Sequence, residues 1–351
     1  MIKVAHVVSS LNIGGAERFV IDLCDVQKGL NINPTVISLG TPKELLVGEC
    51  KKKNIAVVSY NHHPIFKLIR LFIALLKFDV IHIHSQHALK FLSYTFPLLH
   101  KKIIYTRHGA APLSSPEWVS LHLKVKPFVN IATFVSQEGL DIFQQNHGWE
   151  SIPNYVIDNG VLISPLMKNA DTNISKLRIG SVGRMIPLKN QLGLLKAINT
   201  LAEVTQTQIE VNFFGDGECS QSLTAYKKEH LAKVDVIFHG MVNDREKIYS
   251  SFDVLVVTSE TEGLSMVIIE AMANKLPVIA TNVGGNPKLV INGQTGWLFE
   301  YNDDEKLAEI IQNVINNKAL ISAIGDNAFS YISENFSIDT SAKKYAELYE
   351  N

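Results

Sequence analysis

Two doubly wound α/β domains are what this sequence predicts, and three observations predict them. Strand-like runs alternate with helix-like stretches from Ile2 onward, the same alternation restarts at Leu177, and residues 164–175 between them are polar and turn-prone. The length, 351 residues, exceeds what one ordinary α/β core takes up. The expected domains are 1–165 and 176–332, with 333–351 as a closing segment.

The first half opens on Ile2-Lys-Val-Ala-His-Val-Val8, an apolar run too short for a signal peptide, which leads through Gly14-Gly15 into an amphipathic helix carrying Phe19, Ile21 and Leu23. Pro34–Ser38, Ile55–Val58, Val80–His84, Ile103–Thr106 and Asn130–Val135 read as further strands, most of them separated by helical patterns. In the second half the strands are Leu177–Gly183, Gln208–Phe214, Val234–Phe238, Val254–Val257 and Pro277–Ala280. Such alternation builds parallel sheets, and ligands of open α/β sheets bind at the strand-end loops. Two such halves are expected to face an interdomain cleft.

Hydrophobic residues make up 46% and charged residues 19%, a balance suited to a compact soluble protein. Cys24, Cys50 and Cys219 have no CxxC spacing, so neither a disulfide framework nor a zinc site is indicated, and a reducing, cytoplasmic location is expected. The net charge of −1 hides an asymmetry: residues 1–165 carry 16 Lys/Arg against 11 Asp/Glu, the remainder 17 against 23. A basic first half is compatible with peripheral contact with anionic lipid at the inner face of the membrane, as is the apolar and basic run Ile65–Lys77, which is too short to span a bilayer. Nucleic-acid binding has little support.

The chemistry concentrates in Glu262-Gly-Leu-Ser-Met-Val-Ile-Ile-Glu270, which reads as a loop entering a helix between the strands at Val254 and Pro277. Backbone N–H groups near Gly263, Leu264 and Ser265 would meet phosphate at the helix start, and carboxylates accept hydrogen bonds from sugar hydroxyls. Together they suggest a sugar nucleotide. By spacing alone, Glu262 and Glu270 read first as a capping acid and a solvated helix acid, although an acid among Val267, Ile268 and Ile269 needs a partner. Arg184 and Lys189, in the loop after the first strand of the second half, supply cations for a diphosphate, and that placement favours the site reading. Gly14 and Gly15 permit close approach of backbone to a ligand. GxGxxG is absent, which argues against a dinucleotide oxidoreductase. His108 sits at a strand end before Gly109. His82, His84 and His87 cluster nearby, and the HxH pair is read as alternating across the strand, so no shared metal is expected. No DxD pair occurs, and Asp303-Asp304 falls in an expected surface turn, so no carboxylate-held divalent cation is expected.

Gly14-Gly-Ala-Glu17, His108-Gly109, Asn159-Gly160, Gly183-Arg184 with Lys189, Phe214-Gly-Asp-Gly217, His239-Gly240, Glu262 to Glu270 and Gly284-Gly285 recur in an order and spacing that resembles the retaining GT-B glycosyltransferases of family 4. The resemblance covers nearly the whole chain. It implies two Rossmann-like domains, an acceptor-binding one at 1–165 and a donor-binding one at 176–332, with helix 333–351 crossing back onto the first. It also implies that Arg184 and Lys189 hold the donor diphosphate, Glu270 the ribose, and Glu262 the transferred sugar. Gly14, Gly15, Gly183, Gly240, Met241, Gly263, Leu264 and Ser265 would complete the donor site; His108, with His84, would lie at the acceptor side near the anomeric carbon.

The implied donor is a UDP-sugar, used without a metal cofactor, and the implied acceptor a hydroxyl of a saccharide or polyprenol-linked intermediate in cell-surface polysaccharide or lipopolysaccharide synthesis. The alternatives are a GT-B nucleotide-sugar epimerase and a non-catalytic sugar-nucleotide-binding protein of an envelope assembly complex. One departure from the family pattern is Lys288, where Gly-Gly-x-x-Glu is common; its charge is expected to point away from the donor.

Overall fold

The computed structural model describes residues 1–12, 14–60, 63–109, 113, 115–147, 149–163 and 176–350, with backbone alone at 145–147. The chain divides into two compact units, Met1–Leu162 with Phe336–Asn351, and Ile163–Asn335. The expected linker, 164–175, lies outside the described residues.

Unit 1 runs β1 (Ile2–Val8), α1 (Gly15–Gln27), β2 (Ile32–Ser38), α2 (Leu45–Lys52), β3 (Ala56–Ser59), α3 (Pro64–Leu75), β4 (Val80–Ile83), α4 (Gln86–Leu92), β5 (Lys102–Arg107), α5 (Pro116–Val125), β6 (Ile131–Phe134), α6 (Gln137–His147) and β7 (Asn154–Val156). Its sheet is parallel, in the order β3-β2-β1-β4-β5-β6-β7. Inner strands such as β1 and β4 bury successive residues because helices cover both faces of a parallel sheet. That is why these strands read as short continuous apolar runs.

Unit 2 runs β8 (Leu177–Val182), α7 (Gln191–Thr200), α8 (Glu203–Gln206), β9 (Ile209–Phe214), α9 (Ser220–His230), β10 (Asp235–Phe238), α10 (Arg245–Ser250), β11 (Val254–Val257), α11 (Met266–Ala273), β12 (Val278–Thr281), α12 (Asn286–Leu289), β13 (Gly296–Phe299), α13 (Asp304–Asn316) and α14 (Ala319–Asn335). Its parallel sheet has the order β10-β9-β8-β11-β12-β13. Ile179, Val211, Val254, Val256 and Ile279 from its strands share one core with Leu194 and Leu195 of α7 and Leu307, Ile311 and Val314 of α13.

The chain ends in α15 (Ile338–Glu350), part of unit 1, which packs on α1. It buries Ile338, Ala342, Tyr345, Leu348 and Tyr349; each large apolar side chain hidden this way is worth about 1.5–3 kcal/mol. Gly160 makes the entry of α15 feasible, since a Cβ there would stand 2.6 Å from the Ile338 backbone nitrogen. Gly160 is thus accounted for by close packing against the start of α15. Asp303 is not in a simple surface turn: it caps α13, its carboxylate accepting from the Lys306 amide at 2.9 Å, and Asp304 begins the helix.

Candidate active site

In unit 2 the strand succession runs outward from β8 to β9 and β10, then jumps to β11 on the other side of β8. The loops after β8 and β11 lie side by side at the carboxyl ends of these neighbouring strands, the switch point at which ligands of open α/β sheets bind. Lys189 comes from the first loop and Glu262 from the second, and they meet: Lys189 Nζ lies 2.6 Å from Glu262 Oε1. Ser259 Oγ donates to the same oxygen at 2.7 Å. Two further bonds stitch the loops together, Thr258 Oγ1 to the Lys189 carbonyl at 3.0 Å and the Glu260 amide to the Leu188 carbonyl at 2.9 Å. Glu262 is 9% exposed, so its charge is compensated mainly by this built contact.

Glycine pairs bring the neighbouring loops close. Gly284, after β12, has φ +53°, and a Cβ there would fall 1.9 Å from the Glu262 carbonyl oxygen. Gly285 lies as tightly against Gly263, whose carbonyl accepts from the Gly285 amide at 3.0 Å. On the other side, the Gly215 amide donates to the Gly240 carbonyl at 2.8 Å, the Gly183 amide to the Phe214 carbonyl at 2.9 Å, and a Cβ on Gly215 would strike the Gly183 carbonyl. Gly183, Gly240, Glu262 and Gly263 thus belong to loops at one edge of one sheet. Arg184 extends from this edge exposed, with no ion pair among the described residues, and Met241 is 48% exposed. His239 stacks flat on Phe214 with centroids 4.2 Å apart and bonds Asn212 Oδ1 through Nε2 at 2.8 Å; partial burial and the Lys247 charge hold its pKa below the ordinary value.

Gly263, Leu264 and Ser265 lead into α11, and no side chain caps its first turn. The Leu264 and Ser265 side chains are buried, which leaves their backbone as the part a ligand could meet. Glu270 is 5% exposed and has the partners a buried acid requires. Tyr249 Oη donates to Glu270 Oε2 at 2.5 Å, and Arg245 Nε stands 3.1 Å from Oε1. Both partners lie on α10, four residues apart, and sequence reasoning missed them. The available signal was that i,i+4 spacing, which puts Arg245 and Tyr249 on one helix face just after the Gly240 loop. Lys288 is exposed, on a helix flanking the Gly284 loop.

In unit 1 the corresponding switch lies between β1 and β4. Gly14 caps α1 in extended conformation, with Gly15 the first helical residue, both at the carboxyl end of β1. His84 follows β4 and His108 follows β5; His84 Nδ1 and His108 Nε2 are 3.0 Å apart. One expectation is corrected here: His82 and His84 do not alternate. Residues two apart on a strand share a face, and these rings lie 3.9 Å apart, both buried beside His6. Ligand atoms of His6, His82 and His84 all fall within 4.8 Å of one another. His87 stays outside, edge-on to Trp118 at 5.1 Å. Burial lowers the pKa of His6 and His108 to about 4 and holds those of His82 and His84 well below the usual value. All four rings are neutral at pH 7.

Two family models match the chain: "Glycosyltransferase Family 4" over residues 13–164 and "Glycosyl transferases group 1" over residues 167–331. An uncharacterized glycosyltransferase of Methanocaldococcus jannaschii is 30% identical over 289 residues, 78% of this chain and 75% of that protein. This chain is a family 4 glycosyltransferase. Two further relatives match over less than half their own length. The UDP-Gal:α-D-GlcNAc-diphosphoundecaprenol α-1,3-galactosyltransferase of Escherichia coli is 32% identical over 170 residues, 48% of this chain and 44% of that protein. The poly(ribitol-phosphate) α-N-acetylglucosaminyltransferase of Staphylococcus aureus is 24% identical over 215 residues, 60% and 43%. Among solved structures, Anabaena Alr3699/HepE in complex with UDP and glucose superposes with a TM-score of 0.87 at 22% identity, covering 99% of both chains. The fold of this family 4 member is GT-B.

Proposed function

We propose that this glycosyltransferase moves a sugar from a UDP-sugar, with retention at the anomeric carbon and without a metal cofactor, to a hydroxyl of a saccharide or lipid-linked acceptor in cell-surface polysaccharide synthesis. The observation that carries the reading is the Lys189–Glu262 contact across the β8/β11 switch. Both hydrogen bonds to Glu262 fall on Oε1, which leaves Oε2 to accept from a hydroxyl of the transferred sugar. Lys189 spends one donor on Glu262 and keeps two for the diphosphate. Arg184, exposed beside it, adds a planar fork. Glu270 accepts the ribose hydroxyls, and α10 keeps its carboxylate in place through Arg245 and Tyr249. The donor and acceptor classes draw on the E. coli galactosyltransferase, named for UDP-Gal and a diphosphoundecaprenol substrate, and on the UDP complex of the Anabaena protein.

In the reaction the bond from the anomeric carbon to the diphosphate oxygen breaks as the acceptor oxygen bonds the same face. The acceptor proton passes to the departing diphosphate. Arg184 and Lys189 stabilise the charge that develops there, and removing such a donor costs about 10²–10³ in rate. The test is release of UDP from a panel of UDP-, GDP- and ADP-sugars with added acceptors, with the anomeric configuration of the product read by NMR. Turnover of a UDP-sugar to a retained product, unaffected by chelator, supports the reading; an inverted product or chelator-dependent turnover removes that part of it.

Membrane contact belongs to the same reading and rests on α3. Ile65, Phe66, Ile69, Ile73 and Leu76 are each 45–65% exposed along or just after this helix, with Lys67 and Arg70 between them. An apolar ridge edged with cations fits an interfacial helix on anionic lipid. No helix among the described residues is long and apolar enough to cross a membrane.

A further inference from the structure

The crossovers of unit 1 run in two directions. From β1 to β2 to β3 the chain steps one way across the sheet, whereas β3 to β4 crosses back and β5, β6 and β7 continue outward on the other side. Parallel crossovers are right-handed, so α1 and α2 lie on one face of the sheet and α3, α4, α5 and α6 on the other. The first face is where α15 packs, on α1.

Charge follows the same division. Residues 64–128, from the start of α3 to just past α5, hold nine Lys/Arg against two acids, and the rest of residues 1–165 hold seven against nine. Both acids are engaged: the Asp79 carboxylate accepts from the Lys3 amide at 2.8 Å, and Glu117 pairs with Lys90. The basic character of the first half is thus concentrated in this one stretch.

Side-chain contacts join its helices in series. Lys67 of α3 lies over Phe91 of α4, the ammonium 5.9 Å from the ring centre; Lys90 of α4 lies over Trp118 of α5 at 5.4 Å; Lys124 of α5 lies over Tyr94, just after α4, at 5.6 Å. Exposed apolar side chains continue past α3 in the same way. Tyr94 and Leu98, which follow α4, are 68% and 65% exposed, and Leu123 of α5 is 50% exposed. Leu123 also walls a groove of about 540 Å³ on α5, together with Leu113, Pro116 and Val119. Lysines whose stems lie on rings and leucines while their ammonium groups reach outward suit a surface that is apolar inside and anionic at its rim.

We infer that the lipid-facing surface of unit 1 is the whole face formed by α3, α4 and α5, with Trp118 at headgroup depth, and that its partner is an anionic bilayer. The inference rests on the membrane reading of α3 and adds to it α4, α5 and an orientation. One amphipathic helix leaves the domain behind it free to roll on the membrane; three joined helices fix that roll. Helices of βαβ units run along their sheet, so the bilayer lies parallel to the sheet, and the carboxyl ends of β1, β4 and β5 open sideways beside the headgroups. A lipid-linked acceptor carries its sugar hydroxyl at that level. A second copy of this chain seated on the same face would set these cations against their like, which argues for lipid as the occupant.

Trp118 reports on this surface directly. Of the three tryptophans, Trp149 is fully buried and Trp297, in unit 2, is 9% exposed, whereas Trp118 is half-buried. The experiment follows sedimentation and tryptophan emission of the full-length protein with vesicles of phosphatidylglycerol and phosphatidylcholine brominated near the headgroup, and with vesicles of phosphatidylcholine alone. Sedimentation with the anionic vesicles is expected, with quenching and a blue shift of emission; both spectral changes are absent with phosphatidylcholine alone and in Trp118→Phe. Leu123→Glu, which places a negative charge on α5, should weaken sedimentation by at least about 5-fold, the effect of one unit charge near an anionic surface, and leave transfer to a soluble acceptor unchanged. It carries the test should Trp118→Phe fail to fold. Sedimentation without a Trp118 response, or undiminished in Leu123→Glu, leaves α3 as the contact and overturns this inference alone. No sedimentation with anionic vesicles removes the membrane reading as well. A lipid-free dimer that Leu123→Glu dissociates overturns the inference in favour of a second copy.

Discussion

Replacing Lys189 by Met should expose how far the donor edge depends on one contact. The ammonium lies 2.6 Å from a carboxylate that is 9% exposed, while the lysine side chain itself is 27% exposed. A fully buried pair broken on one side costs about 3–5 kcal/mol, and an exposed pair contributes about 0.2–1 kcal/mol. Partial solvent screening of Lys189 puts this case between them, at about 1–2 kcal/mol. Ser259 retains one bond to the stranded carboxylate, which holds the cost below the buried limit. For a unit of this size 1 kcal/mol corresponds to about 2–4 °C, so the melting temperature of Lys189→Met should fall by roughly 2–8 °C. Glu262→Gln in the same background removes the stranded charge and should restore much of that loss. The assay is a double-mutant cycle by thermal and urea melts on Lys189→Met, Glu262→Gln and the pair. A coupling energy of about 1–2 kcal/mol is expected. Strictly additive losses, or no loss in Lys189→Met, would refute the idea that the two loops are held by this pair.

The other predictions test different links. Gly284→Ala, at φ +53° and with its Cβ 1.9 Å from the Glu262 carbonyl, should cost about 1–3 kcal/mol in urea melts and lower transfer by displacing Glu262. Arg184→Ala should change stability by less than about 0.5 kcal/mol, because the side chain is exposed, while lowering turnover by about 10²–10³. Acid should destabilise unit 1. His6 and His108 have folded pKa values near 4, below the ordinary 6.5, so the unfolded chain binds protons that the folded one does not. Stability should be full above pH 6.5 and decline from there toward pH 4, by up to about 1.4 kcal/mol per pH unit for each proton, as urea melts at pH 7, 6 and 5 would show; a flat profile contradicts it. Ile69→Glu on α3 should weaken sedimentation with anionic vesicles while leaving transfer to a soluble acceptor unchanged.

Much of the fold was legible because buried parallel strands are short apolar runs bounded by turns, and every strand read from the sequence lies where a strand is found. β7 and β13 were not read. Asn154–Val156 spans three residues, and Gly296–Phe299 opens on a glycine after a turn, so neither offers a run long enough to count. Glu262 and Lys189 were legible as members of a strand-end edge, but the reading did not pair them, because a contact between the loops of β8 and β11 depends on strand order. Arg245 and Tyr249 were missed for a similar reason: their i,i+4 spacing puts them on one helix face, but their partner Glu270 lies on another helix. The histidine cluster was misread through the period of a strand. His82 and His84 share a face, and the pairing of β1 with β4 that sets His6 opposite His82 adds the third ring. That same pairing cannot be read from either strand alone.

The measurement that tests the account most directly is release of nucleoside diphosphate from one sugar nucleotide by the native protein beside Arg184→Ala and Glu270→Ala, each checked for a folded melting transition. Turnover with a UDP-sugar is expected in the native protein, and near-complete loss in both variants. Native-level release from either folded variant, or no turnover of any sugar nucleotide by the native protein across a broad acceptor panel, would contradict it.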